Sequence, residues 1–62
     1  MYGKIIKHRR ESLNMSQLRL SLDLNNDNAE ISRWENEKVK PSYKTAEKLA
    51  KILGGEPKEY RE

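Results

Sequence analysis

Apolar residues recur along this chain three or four positions apart, in short runs separated by polar breaks, which is the spacing of one buried face on each of several short helices. The stretch Ser16 to Glu35, SQLRLSLDLNNDNAEISRWE, shows it best and organises the rest. Ser16 can cap a helix N-terminus, and Leu20 and Leu24 fall four apart on one face, so a helix is predicted from Ser16 to about Leu24. Asn25 and Asn26 end it, because asparagine tolerates the left-handed backbone conformation better than other non-glycine residues and can reverse the chain. Asp27 can cap the next helix. There Ile31, Trp34 and Glu35 recur at i, i+3, i+4, turning one side inward and leaving Ala29, Ser32, Arg33 and Asn36 outward on a small, polar and basic face.

The flanks follow the same logic. A first helix is predicted from about Tyr2 or Gly3 to Ser12, with Ile6, Arg10 and Leu13 sharing its inner face, and Leu13-Asn14-Met15 forms a turn. Met15, just before the Ser16 cap, can pack as a hydrophobic staple. After Glu35, Asn36 to Pro41 reads as a loop with Val39 as its only apolar anchor. Ser42 can cap a further helix whose inner face carries Ala46, Leu49, Ala50 and Leu53, and Gly54 and Gly55 stop it. Glu56 to Tyr60 can add one final turn, with Pro57 at its first helical position and Tyr60 packing back on the core. The fold class expected is all-α: a compact bundle of four to five short helices, one domain over residues 1–62, with Ile6, Leu13, Leu20, Leu24, Ile31, Trp34, Leu49 and Leu53 as its core.

Composition narrows the function. A chain of 62 residues buries only roughly 60% of its unfolded surface, so there is room for one small core and no second domain. Without cysteine there is no disulfide and no cysteine metal site, which fits a reducing cytoplasm. No apolar run approaches the ~18 residues of a membrane span, and the N-terminus lacks the apolar core of a signal peptide. With the sequence ending at Glu62, no dimerisation or effector domain is expected to follow. His8 stands alone and cannot assemble a multi-histidine metal site. No glycine-rich phosphate loop and no paired carboxylates with a pocket wall are present, so neither catalysis nor a metal or cofactor is expected. Thirteen Lys and Arg against ten Asp and Glu give a net charge of +3, which favours a polyanionic partner only weakly. Distribution says more, since Lys4, Lys7, Arg9 and Arg10 crowd the first helix and Lys38, Lys40, Lys44, Lys48 and Lys51 follow Glu35, although such charge is often only a solvated face.

A polar helix backed by a second helix in a basic protein suggests an element that reads the major groove of DNA. The order of residue types also resembles the helix-turn-helix of the Cro and cI-type phage repressors, the XRE family. Ser16, Gln17, Leu20, Leu24, Ile31, Ser32, Arg33, Trp34 and Glu35 fall in register with that pattern without a gap, and Ile6, Arg10, Pro41, Leu49, Ala50, Leu53 and Gly54 extend it over nearly the whole chain. The resemblance implies a structural ion pair between Arg10 and Glu35. It implies that bases are read by Asn28, Ala29 and Arg33, with Asp27, Glu30 and Ser32 at the margin. Asparagine matches the adenine edge, arginine matches guanine, and an alanine methyl can touch the thymine methyl. Ser16 and Gln17 on one side of the groove, and Asn36, Lys38, Lys40 and Lys44 on the other, would grip phosphates and set position, not sequence. The function expected is sequence-specific binding of double-stranded DNA by a small cytoplasmic transcriptional regulator, a repressor. Its target would be a palindromic operator with half-sites about one helical turn apart, bound by a homodimer formed at least on DNA.

Several positions depart from the family pattern. Asn14 takes the place of a common glycine, Ser21 that of an alanine where two helices cross closely, and Asn36 or Glu37 that of a glycine helix stop. Asn26 replaces an apolar residue that usually seals the turn, which should loosen the contact between the two central helices. Leu18 and Leu22 lie four apart, on the side of their helix away from Leu20 and Leu24, where the family carries polar residues. They can form a small patch for a partner protein or a second protomer, or be extra packing or bland surface. They support a second reading, a helix-turn-helix fold used as a protein-interaction module of antitoxin or antirepressor type. Asp27 and Glu30 near the DNA face count mildly the same way, although Asp27 is also a cap and an acidic residue can accept from a cytosine amino group. The residue match in the reading helix favours DNA.

Overall fold

Two serines set where helices begin in the computed structural model, which describes residues 1–62. Helix α1 spans Tyr2–Ser12, α2 Gln17–Leu24, α3 Asn28–Glu35 and α4 Tyr43–Leu53, and a 3-10 turn at Pro57–Tyr60 closes the chain. Ser16 Oγ accepts from the Arg19 N–H at 3.0 Å and Ser42 Oγ from the Thr45 N–H at 3.2 Å, each cap contributing ~1 kcal/mol. Asp27 holds the N-cap position of α3 but makes no side-chain cap hydrogen bond. Its carbonyl starts the helix by accepting from the Glu30 N–H, and its carboxylate acts only through its charge at the positive helix end.

Three helices end in the same way on residues other than glycine. Asn14, Asn25 and Glu37 all have positive φ, at 57°, 57° and 60°. At each, the N–H of that residue and of the next turn back onto the last helical turn, as with Asn25 onto the Leu22 carbonyl at 3.2 Å and Asn26 onto Ser21 at 2.8 Å. Those bonds hold the α2–α3 turn even though Asn26, in place of an apolar seal, is exposed. For the two asparagines the conformation is mild; for Glu37 it costs on the order of 1–2 kcal/mol. Its carboxylate offsets that cost by accepting from the Gly3 N–H at 2.8 Å, where it also faces the positive end of α1. Gly3 makes this approach feasible: a Cβ there would lie 2.6 Å from the Glu35 carbonyl oxygen and 2.8 Å from that of Trp34.

The core joins Ile6, Leu20, Leu24, Ile31, Trp34 and Leu49 to Tyr2, Ala46 and Tyr60. Two expected members differ. Leu13 is 52% exposed, because α1 ends at Ser12 and the turn carries Leu13 off the helical register that would have aimed it inward. Leu53, the last residue of α4, is only partly buried at the rim of the cluster. Ser21 is buried, and its hydroxyl donates to the Leu18 carbonyl at 2.7 Å, so a small polar residue fits without an orphaned group.

Candidate nucleic-acid interface

Everything that fixes α3 lies on its inner side. Ile31 and Trp34 enter the core, and Glu35, its last residue, is tied to the other two helices of the N-terminal half. Arg10 of α1 donates from Nε to Glu35 Oε2 at 2.7 Å and from Nη2 to Oε1 at 3.1 Å, while its Nη1 reaches the Met15 carbonyl at 2.7 Å. Gln17, the first residue of α2, donates from Nε2 to Glu35 Oε1 at 3.0 Å. The hydrogen bond to Glu35 holds the Arg10 guanidinium above its ordinary pKa against the opposing effect of burial, so Arg10 stays charged. An eight-residue α3 is about 12 Å long, close to the width of a major groove, and its orientation is fixed at its base by these bonds.

The opposite side of α3 faces solvent. Asn28, Ala29 and Arg33 are exposed there, with Glu30 and Ser32 half-buried beside them. Three local bonds order this surface. Arg33 Nη1 pairs with Glu30 Oε1 at 2.7 Å, and Asn36 Nδ2 bonds to the Ser32 carbonyl at 2.9 Å and to its Oγ at 3.2 Å. Of the residues expected to grip phosphates, Ser16, Lys38, Lys40 and Lys44 are exposed, Ser16 with its oxygen already engaged in the α2 cap. The loop that carries Lys38 and Lys40 is anchored at its end: Pro41 is buried and its carbonyl accepts from Arg61 Nε at 3.0 Å. Gln17 is the exception. Its half-buried amide gives one N–H to Glu35 and keeps the other as a donor.

Arg9 also differs from its expected place among the free basic charges. It forms a two-pronged bond to Glu59, with Nη1 to Oε1 at 3.2 Å and Nη2 to Oε2 at 3.1 Å, and Nη1 also reaches the Tyr60 hydroxyl at 2.9 Å. The guanidinium lies over the Tyr60 ring, 5.5 Å from its centre. Tyr60 in turn donates to the Gly54 carbonyl, so the closing turn is clamped to α1. The bond to Glu59 is the main cause that raises the Arg9 pKa above its ordinary value, and the same bond lowers that of Glu59. No local spacing announces a pair fifty residues apart in the chain, whereas Glu30 and Arg33, three apart on one helix, carry the ordinary signal of a helix-surface pair. Leu18 and Leu22 are 57% and 68% exposed, on the side of α2 turned away from the core.

A bundle whose second and third helices are joined by a tight turn, with the third backed by the core and bare on its polar side, is the architecture of a helix-turn-helix domain. A family model described as helix-turn-helix matches residues 6–60. The chain belongs to this family, in the Cro/cI (XRE) type that its central helices resemble, and it is a DNA-binding regulatory domain of that kind. Comparison with curated proteins and with solved structures gave no match. No helix is long and apolar enough to cross a membrane.

Proposed function

We propose that this chain is a sequence-specific repressor that places α3 in the major groove of double-stranded DNA. The observation that carries the reading is the two-sided character of α3: Ile31, Trp34 and the Arg10–Glu35 pair hold its back, while Asn28, Ala29 and Arg33 stand exposed on its front. In this reading Arg33 takes the O6 and N7 edge of a guanine, Asn28 an adenine, and Ala29 a thymine methyl, with Glu30 and Ser32 at the edge of the contact. Ser16, Asn36, Lys38, Lys40 and Lys44 hold the flanking phosphates together with Gln17, whose amide keeps one N–H free for the contact. Two copies bind a palindromic operator in the cytoplasm, and this occupancy represses transcription. The exposed Leu18 and Leu22 give the two copies, or a partner protein, an apolar contact.

The test is an unbiased selection of bound duplexes, expected to enrich a short inverted repeat. Titrations of the selected and a scrambled duplex at several salt concentrations then separate reading from gripping. Arg33→Ala should cost ~1–3 kcal/mol on the selected site and relax one base position per half-site. Lys40→Ala should weaken both duplexes alike and reduce the magnitude of the salt slope by about one per protomer. No enrichment, or an equal loss on both duplexes from Arg33→Ala, would replace this reading with that of a protein-interaction module.

A further inference from the structure

Glu30 is an odd residue to find on a surface that meets a polyanion. Its carboxylate shares the exposed side of α3 with Asn28, Ala29 and Arg33, and it holds Arg33 Nη1 at 2.7 Å. The pair contributes a little to helix stability, with Glu30 in the first turn of α3 and Arg33 in the last. The two side chains are 32% and 53% exposed, and an exposed pair at this spacing contributes little to folding. What the bond does fix is direction: the long Arg33 side chain is held against its own helix instead of sweeping over the surface. A guanidinium has five N–H donors, so one given to Glu30 leaves enough for a two-pronged contact with a guanine edge.

We propose that Glu30 is a positioning residue for Arg33 that sets specificity by denying Arg33 to phosphates. The inference rests on the base-reading role proposed above for Arg33. On a matched site the guanidinium satisfies guanine and Glu30 together, and the carboxylate stays paired. On an unmatched site the useful move for Arg33 is a swing to a backbone phosphate. That swing breaks the Glu30 bond and leaves an unpaired carboxylate facing the duplex, which repels it. Glu30 therefore weakens sequence-independent binding more than specific binding, and the ratio between them widens.

The experiment compares wild type, Glu30→Gln, Arg33→Ala and the double variant on the selected and scrambled duplexes over a range of salt. Thermal melts check that all four fold. Glu30→Gln is expected to tighten the scrambled duplex and to steepen its salt slope by about one per protomer, because Arg33 gains a phosphate. The selected-to-scrambled ratio should fall by about five- to tenfold, part of the discrimination carried by one two-pronged base contact. With Arg33 already replaced by Ala, Glu30→Gln should leave that ratio unchanged. The inference is overturned if Glu30→Gln leaves the ratio unchanged while Arg33 is present, since the pair is then idle. It is also overturned if Glu30→Gln shifts base preference in the Arg33→Ala background, since Glu30 then reads a base itself. Equal losses on both duplexes from Arg33→Ala alone would instead refute the base-reading role, and this inference would go with it.

Discussion

Removing Arg10 should test the ion pair that sets the base of α3. The side chains of Arg10 and Glu35 are 9% and 4% exposed, and three of the donors of Arg10 are engaged, two by Glu35 and one by the Met15 carbonyl. Arg10→Ala would leave Glu35 with Gln17 as its only side-chain partner and free the Met15 carbonyl, so a cost of ~3–5 kcal/mol is expected. At the usual stability per residue, a 62-residue domain has only about 3–9 kcal/mol in total, so the variant should lose roughly a third or more of its stability and its unfolding midpoint should fall steeply. Lys7→Ala, on the exposed side of the same helix, should change stability by no more than ~0.5 kcal/mol. The joint change Arg10→Met with Glu35→Leu should recover much of the loss, because neither charge is then buried alone. Urea unfolding followed by the fluorescence of Trp34, the single tryptophan, reads all three. Equal midpoints for Arg10→Ala and Lys7→Ala, or a joint variant as unstable as Arg10→Ala, would show that burial of an unpaired charge is not the controlling cost.

Gly3→Ala should destabilise by ~1–3 kcal/mol in chemical unfolding, against the ~1 kcal/mol that helix propensity alone would add, because its Cβ would press on the Glu35 and Trp34 carbonyls. Glu59 is held below its ordinary pKa chiefly by Arg9, so it binds fewer protons folded than unfolded. The stability it adds should be complete above its unfolded pKa of about 4.3 and be lost as pH falls through the folded value; the gap in melting temperature between wild type and Glu59→Gln should close on acidification. Replacing Leu18 and Leu22 together by Glu should leave the melting of the monomer unchanged and weaken self-association or cooperative binding on DNA, as read by sedimentation and by titration of the selected site. An unchanged profile in both would leave them as ordinary surface leucines.

What could be read directly from the sequence is what acts within a turn or two of chain. Ser16 and Ser42 declare helix starts because a hydroxyl three residues from an N–H finds it at once. Asn25 and Gly54 declare ends, and the spacing of Leu20, Leu24, Ile31 and Trp34 names the buried faces and so, by subtraction, the bare front of α3. The Arg10–Glu35 pair was legible only through the family pattern, since 25 residues separate the two. Tertiary structure decided the rest, and the reason is that each remaining choice depends on what a distant segment brings. Leu13 falls off register where α1 stops, and Tyr2 is buried under elements that follow it by tens of residues. Arg9 is claimed by Glu59 and Tyr60, Gln17 is drawn inward by Glu35, and Glu37 keeps a costly backbone conformation because Gly3 waits for its carboxylate. A charge pattern in one dimension counts Arg9 with the lysines of α1; only the packed chain shows that its charge is already spent.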